Sequence, residues 1–459
     1  MSLGLPERPL RVAIVGAGPS GMYAADALFK SGLTVVVDAF DRLPTPYGLL
    51  RGGVAPDHQR MKSVGAYYDR VASNPAFTFF GNVAVGRDIT IEELKKYYDA
   101  IILSYGAETD KALNIPGEHL NGSYAATEFV GWYNGHPDYQ AHSFDLSQKT
   151  AVIIGQGNVA VDVTRILAKT PQELSSSDIT AHALTALSES KIEDIYLVGR
   201  RGPVQAAFTQ LEIEELGKLE ACDIVVDPKD LVLSEACEAE LALSTKAQKN
   251  YDVLKEFSHR PLTGKPKRIH VVFYRTPMSL MGQERLESIE LGINTLEGEA
   301  GAQRAVLTDN RHVLEAGLVF RSVGYKGRPL PGAPFDDKKA VVPNVKGQVI
   351  DCEGLPVSGL FVAGWIKRGP SGVLGTNKGD SAETVATLIE QLPQLSPCPI
   401  PDSDSVRAVL KSVSVVEFND WKKIDEYEKQ QGQAVGKPRE KVRFVKDMLS
   451  IALQSRGDV

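Results

Sequence analysis

Short apolar runs that stop at or near glycine recur along this chain. Val12–Val15 runs into Gly16, Ala100–Ser104 towards Gly106, Ala151–Ile154 into Gly155 and Ile195–Val198 into Gly199, while Leu360–Ile366 carries Gly364 and Trp365. These runs are continuous rather than alternating, which predicts strands buried on both faces of a parallel sheet. Met22–Phe29 and Val161–Lys169 follow two of them with helical spacing. Strands at Thr34–Phe40 and Phe77–Asn82 and helices at Gln59–Ser73 and Ile91–Tyr98 complete the opening lobe.

Ala107–Gln148 mixes turns with the Trp132–Tyr133 pair and reads as a crossover into a second lobe. There, Thr170–Lys191 is an insertion, and Phe208–Gly217 predicts a helix whose Glu212, Glu214 and Glu215 suggest a mostly solvated face. Ile224–Lys249 is acidic and includes a helix. Ile269–Arg275, Leu286–Asn294 and Arg304–Thr308 read as an antiparallel appendix, and Leu318–Val323 leads back to the first lobe at Gly324–Gly327. A helix is expected over about 381–392. Val406–Asp425 and Glu440–Leu453, separated by Gln431–Arg439, read as amphipathic helices of a packing tail without catalytic chemistry. The expected class is α/β, with two Rossmann-like dinucleotide-binding domains, one inserted into the other.

Composition narrows the partners. A chain of 459 residues with 43% hydrophobic content supports two full cores. The net charge of −7 argues against nucleic acid or an anionic membrane as a partner of the whole surface. No apolar run reaches membrane-spanning length, and the opening MSLGLPERPL is too short and polar for a signal or transit peptide. Four cysteines, at 222, 237, 352 and 398, form no C-x-x-C. No redox dithiol, iron–sulfur cluster or zinc site is readable, and a reduced cytoplasmic setting is expected.

The chemistry concentrates in the glycine turns. Gly16, Gly18 and Gly21 follow their strand in G-x-G-x-x-G spacing. The first glycine suits a tight turn, the second a close approach of backbone to pyrophosphate, the third close helix–strand packing. Asp41, about 20 residues on, stands where a carboxylate would take two ribose hydroxyls; Asp38 is the rival acid, and the strand end favours Asp41. In the second turn Gly155 and Gly157 recur, Ala160 replaces the third glycine, and the next strand ends in Gly199, Arg200 and Arg201. An arginine pair in place of an acid suits a 2′-phosphate, since guanidinium forks match phosphate oxygens; two solvated loop arginines are the plainer reading.

Three further features stay open. The Gly/Pro-rich loop after Asp41 ends at His58, which is either an ordinary histidine or a participant beside a cofactor. Trp365 is either plain core or a cover for a ring. Lys255–Arg268 is either a charged loop or a docking patch for an acidic partner. The Gly-rich turn after Trp365 and the helix beyond it could close a flavin site, with a positive dipole end near the ring's pyrimidine edge.

Taken together, RVAIVGAGPSG, DRLPTPYGLLRGGVAPDH, VIIGQGNVAVD, VGRRGPVQAAFT and GWIKRGPSGVLGTNK, with the tail element DWKKIDEYE…GKPREK, resemble adrenodoxin reductase and the bacterial ferredoxin–NADP+ reductases of that type. The likeness covers most of the chain. It implies an FAD domain from residues 1–106 and 325–459, with an NADP domain, residues 107–324, inserted. It also implies hydride transfer from NADPH to FAD and single-electron transfer to a ferredoxin. FAD contacts implied by the resemblance are Gly16, Gly18, Pro19, Ser20, Gly21, Asp41, Arg42 and Leu49, with Trp365, Gly372 and Val373 touching FAD or nicotinamide. Gln156, Gly157, Asn158 and Val159 are implied for the NADP pyrophosphate, Arg200 and Arg201 for the 2′-phosphate, and Glu212 for the nicotinamide ribose. His58 and Glu215 are implied in proton handling. The missing presequence suggests a bacterial member. Lys255–Arg268 does not match the family's docking arginines. A disulfide reductase or the reductase subunit of glutamate synthase would need cysteines absent here; a flavin monooxygenase or diaphorase and a nucleotide-sensing module are the other readings.

Overall fold

The computed structural model describes residues 3–454. The chain divides into two compact units. One takes the chain up to Val54, then His58–Thr109, then everything from Gly324; the other takes Ala55–Asp57 and Asp110–Val323.

The first unit is built on a seven-stranded sheet. Its order is Asn344–Val345, Gln348–Ile350, Pro356–Val362, Ala100–Leu103, Leu10–Val15 (β1), Val35–Asp41 (β2) and Phe77–Gly81. The last five are parallel, and the first two form an antiparallel edge. All of β1 is buried, and its residues part by pleat. Val12 and Ile14 face Met22, Ala25 and Leu28 of the helix Pro19–Phe29 (α1), together with Val385, Leu388, Trp421 and Ile424. Ala13 and Val15 face Ile91, Leu94, Val406 and Leu410 on the other side. Continuous apolar strands thus follow from two covered faces.

The second unit carries a six-stranded, all-parallel sheet. Its order is Ser123–Ala125, Leu318–Arg321, Thr150–Ile154, Asp194–Val198, Lys267–Val272 and Cys222–Val226. Helices cover one face, where Ala151 and Ile153 meet Val163, Ile166, Leu167, Phe129 and Trp132. The other face, with Val152, Ile154 and Val198, meets Leu280, Ile289 and Leu291 of a separate three-stranded antiparallel sheet, Arg275–Met281, Ser288–Glu297 and Arg304–Glu315.

Several elements differ from the sequence reading. Ile269–Arg275 is not the first strand of the appendix: its apolar residues belong to Lys267–Val272 in the parallel sheet, and the appendix begins at Arg275. Tyr274, at φ 55°, makes the corner between the two sheets. The crossover Ala107–Gln148 contains a buried helix, Ala126–Tyr133, whose Glu128 carboxylate accepts the Ala125 N–H at 2.7 Å. Its apolar residues point all round, so it lacks the stripe that marks a helix. The helix expected over Gln59–Ser73 breaks into Gln59–Lys62 and Gly65–Ala72, where the Ser63 hydroxyl bonds back to Arg60 O at 2.7 Å and Gly65 follows. The insertion Thr170–Lys191 forms two helices, Pro171–Ser175 and Ala181–Ser188.

Val406–Asp425 is not one helix. Helices Ser403–Val409 and Phe418–Gln433 flank Val416, which exchanges both backbone hydrogen bonds with Gly81 at the sheet edge (2.8 and 3.0 Å). The alternating SVSVV there is strand chemistry, not helix chemistry. The last helix runs over Val445–Leu453 rather than from Glu440.

Candidate dinucleotide sites

In each sheet the strand order reverses beside the glycine turn. In the first unit, β1 lies between β2 and Ala100–Leu103; in the second, Thr150–Ile154 lies between Asp194–Val198 and Leu318–Arg321. Ligands of such sheets bind at this switch, beyond the carboxyl ends of the strands.

Gly16 turns at φ 104°, and a Cβ there would lie 2.7 Å from Ser104 O. At Gly21 a Cβ would lie 2.1 Å from Gly16 O, so α1 reaches the strand only because position 21 has no side chain. Gly18 is the N-cap of α1; no side chain bonds to the first turn, where Pro19 and Ser20 follow. Ser20 is buried and its hydroxyl donates to Asn377 Oδ1 at 3.0 Å.

Asp41 ends β2 and accepts the N–H groups of Ala17 and Leu43, both at 3.0 Å. Burial pushes its carboxyl up to about 6. Asp38 is fully buried and engaged by Tyr98 OH (2.8 Å) and Arg11 (3.3 Å). The rival acid is therefore structural. Arg42 pairs with Glu108 at 3.0 Å, and Leu49 is exposed in the following loop. His58 is half-buried and opens the helix Gln59–Lys62, with its carbonyl accepting from Met61 N–H at 3.1 Å.

After the strand Pro356–Val362, Gly364 sits at φ 80° and donates its N–H to Asp380 Oδ2 at 2.5 Å. Trp365 is only half-buried, its ring 5.2 Å from that of Tyr325, so it is not plain core. Gly372, at φ 82°, and Val373 are exposed in the turn before the helix Thr376–Gln391, which starts earlier than its sequence suggests and has no side-chain cap.

In the second unit Gly155 turns at φ 127°, where a Cβ would lie 2.2 Å from Ser322 O. Gly157 faces open space and caps the helix Asn158–Ala168 without a side-chain bond. Gln156 ties the turn down: its carbonyl accepts from Ala207 and Phe208, and its Nε2 donates to Val272 O at 3.1 Å. Asn158 Oδ1 accepts the Thr209 N–H at 2.8 Å, Val159 is half-buried, and Ala160 is fully buried. Arg200 and Arg201 are exposed, while their carbonyls are fixed by Asn294 Nδ2 (2.7 Å) and Tyr274 N–H (3.0 Å). The backbone is held and the guanidinium groups face solvent.

The acidic helix Gln210–Leu216 is not the solvated face its composition suggests. Glu212 is buried and pairs with Arg165 at 3.2 Å, and Glu215 meets the same guanidinium at 3.3 Å. Arg165 is 1% exposed and also binds Asp162 (2.7 Å) and Asp57 (2.8 Å). Lys169 adds a second cation on Asp57 at 2.8 Å. Burial alone would raise the Asp57 carboxyl, but the bonds from Arg165 and Lys169 outweigh it and hold it well below the carboxylate range. Asp57 and Arg165 escaped the sequence reading. The available signal was an arginine inside the apolar VDVTRILAK, which burial obliges to find carboxylates.

The basic stretch Lys255–Arg268 is largely engaged within its own unit. Arg260 pairs with Glu256 (2.6 Å) and Arg268 with Asp194 (2.7 Å), while Lys265 and Lys267 donate to Leu219 O (2.8 Å) and Leu167 O (2.6 Å). It is a charged structural segment rather than a free cationic patch.

The family model described as pyridine nucleotide-disulphide oxidoreductase matches residues 10–198. NADPH-ferredoxin reductase FprA of Mycobacterium tuberculosis is 43% identical, covering 97% of this chain and 100% of that one. The mitochondrial NADPH:adrenodoxin oxidoreductase of Bos taurus is 42% identical, covering 97% and 92%. The structure of M. tuberculosis FprA in complex with NADPH superposes with a TM-score of 0.92, at 42% identity over 97% of this chain and 100% of that one. This chain belongs to the NADPH-ferredoxin and NADPH:adrenodoxin reductase family.

The residues present suit the two nucleotides of such a reductase. Both turn helices leave first-turn N–H groups without a side-chain partner, which a pyrophosphate can take. Asp41 keeps acceptor capacity beyond its two backbone bonds, and Arg200 and Arg201 are free for an anion.

Three stability outcomes follow for this reductase. Gly21→Ala forces α1 off its strand and should cost about 1–3 kcal/mol or more; Ala160→Gly, at the equivalent turn, should cost only about 1 kcal/mol. Arg165→Leu removes the buried guanidinium that four carboxylates share and should cost about 3–5 kcal/mol. Urea denaturation of matched preparations checks all three, and an Arg165→Leu midpoint equal to wild type would refute the network's importance.

Proposed function

We propose that this reductase passes a hydride from NADPH to FAD and then single electrons to a ferredoxin-type iron–sulfur protein. The observation that carries the reading is one chain with two uncapped glycine turns, each at the switch point of its own parallel sheet. One is followed by an acid and the other by an arginine pair. The near-full-length likeness to NADPH-ferredoxin and adrenodoxin reductases supports it.

On this reading the unit formed by both chain ends is the FAD domain and the inserted unit is the NADP domain. The division into two compact units near Thr109 and Gly324, with Ala55–Asp57 in the second, supports this reading. Gly16–Gly21 and the start of α1 hold the FAD pyrophosphate, Asp41 accepts the ribose hydroxyls, and Arg42 and Leu49 flank them. Trp365, Gly372 and Val373 border the ring. Gln156–Val159 hold the NADP pyrophosphate, Arg200 and Arg201 the 2′-phosphate, and Glu212 the nicotinamide ribose, while His58 and Glu215 handle protons. Bound flavin supplies the conversion between paired and single electrons. The protein's work is then orientation and exclusion of water, and no side chain acts as nucleophile.

Thiol chemistry is a poor alternative. All four cysteines are free, and burial pushes Cys222 up to about 12 and Cys398 up to about 11. Neither is a thiolate at neutral pH. A reducing, cytoplasmic setting suits four unpaired thiols. Among the described residues no helix is long and apolar enough to cross a membrane.

The purified protein should be yellow and should bleach with NADPH in the absence of oxygen. Cytochrome c reduction by NADPH should depend on added ferredoxin; a rate indifferent to ferredoxin would sink the partner. Replacing both Arg200 and Arg201 by Ala should raise KM for NADPH about 100-fold or more, since each charge-assisted contact is worth about 1.5–3 kcal/mol, and leave NADH nearly unchanged. Equal losses for both nucleotides would contradict the phosphate assignment.

Asp41 sets a pH dependence. Without nucleotide, the protonated carboxyl favours the fold at low pH, and that contribution is lost as pH rises from 3.8, the carboxyl's ordinary value, through about 6. Ribose hydroxyls donate to the ionised form, so FAD binds it preferentially and binding releases a proton below that pH. FAD affinity should therefore fall by up to about tenfold per pH unit below 6. Flavin fluorescence during titration measures this, and Asp41→Asn should flatten the profile.

A further inference from the structure

The tail helix Phe418–Gln433 carries no catalytic motif, yet one of its faces presents charge and aromatic surface to a single short segment. That segment, Tyr47–Gly53, lies beside the first glycine turn. A Cβ on Gly48 would lie 3.2 Å from Gly18 Cα, and the Tyr47 N–H donates to Ala17 O at 2.8 Å. The backbone here is conformationally expensive. Tyr47 is at φ 80° and Gly48 at φ 47°, and a tyrosine in that region persists only where its surroundings hold it.

The hold comes from the tail helix. Arg51 forms a two-bond pair with Glu428, one bond at 2.7 Å, and its guanidinium lies 5.2 Å from the Trp421 ring centroid. The Trp421 ring meets Tyr47 edge-on at 6.1 Å. The Tyr47 hydroxyl donates to Asp69, which Lys422 of the same helix pairs at 2.8 Å. Trp421, Asp425 and Glu428 share one helical face. Glu428 has no exposed side-chain surface and also accepts from Arg439 (3.2 Å) and the Val442 N–H (2.8 Å). A buried carboxylate with this many donors has one fixed geometry, and it transmits that geometry to Arg51.

We infer that the tail helix, through Glu428 and Trp421, is the retaining element of the flavin site: it holds Tyr47–Gly53 against the Gly16–Gly21 turn and so sets how tightly the chain keeps FAD. This rests on the flavin reading of that turn. Arg51, Trp421 and Glu428 are positioning residues, since they act through the segment they hold.

The test is FAD release from the full-length holoprotein, followed by the rise in flavin fluorescence, with Kd from titration of the FAD-free form. Arg51→Gln and Glu428→Gln should each weaken FAD binding about 10- to 100-fold through faster release. Arg51→Lys, which keeps the charge but not the two-bond fork, should be intermediate. NADP+ affinity should stay within about twofold. A purely structural role would lower the urea midpoint of the FAD-free form and leave the FAD Kd unchanged, and that result overturns the proposal. If Glu428→Gln does not fold, Arg51→Gln and Trp421→Phe decide by the same Kd. A wild-type chain that takes up no flavin defeats the underlying reading, whereas a flavin-loaded wild type with unchanged variants defeats only the retaining role.

Discussion

An α-helix leaves its first N–H groups without partners, and several helices of this chain satisfy one with a side chain. Thr90, Thr170, Ser234, Ser244 and Asp402 each accept such a bond. The helices Pro19–Phe29 and Asn158–Ala168 begin with glycine and have no such bond. Each stands at the carboxyl end of a central parallel strand, behind a turn whose first residue, Gly16 or Gly155, has no room for a Cβ. The two turns are tight because Gly16 and Gly155 adopt positive φ against neighbouring carbonyls. The open donors and the positive dipole end then suit both turns to an anion.

What distinguishes the sites is the residue chemistry around a shared backbone. At the first, a half-buried acid is fixed by two backbone donors; at the second, two exposed arginines stand on a backbone held through its carbonyls. A carboxylate suits hydroxyls and repels phosphate, whereas guanidinium groups do the reverse. Under the proposed assignment, selectivity between an unphosphorylated and a phosphorylated ribose needs no difference in fold.

Charges that compose no motif carry much of the internal order. Arg165 gathers Asp57, Asp162, Glu212 and Glu215, and Glu428 gathers Arg51 and Arg439. Both hubs are almost fully buried, so their energetics rest on complete pairing rather than on attraction alone. Arg165 holds Asp57, next in sequence to His58, and Glu428 holds Arg51, in the segment beside the first glycine turn.

Local sequence was sufficient wherever the determinant is short-range. The glycine spacing, the apolar strands, Asp41 at a strand end and the Arg200–Arg201 pair were legible because turn sterics and strand burial act within a few residues. The tertiary structure alone decided that Ile269 joins a parallel sheet, that Val416 pairs with Gly81, and that Glu212 is buried. It also decided that Asp57 meets Arg165 and that Glu428 meets Arg51. Those outcomes depend on partners far away in the chain: a β-branched run fits either kind of sheet, and a glutamate on a helix has no preference for solvent until a guanidinium is brought against it.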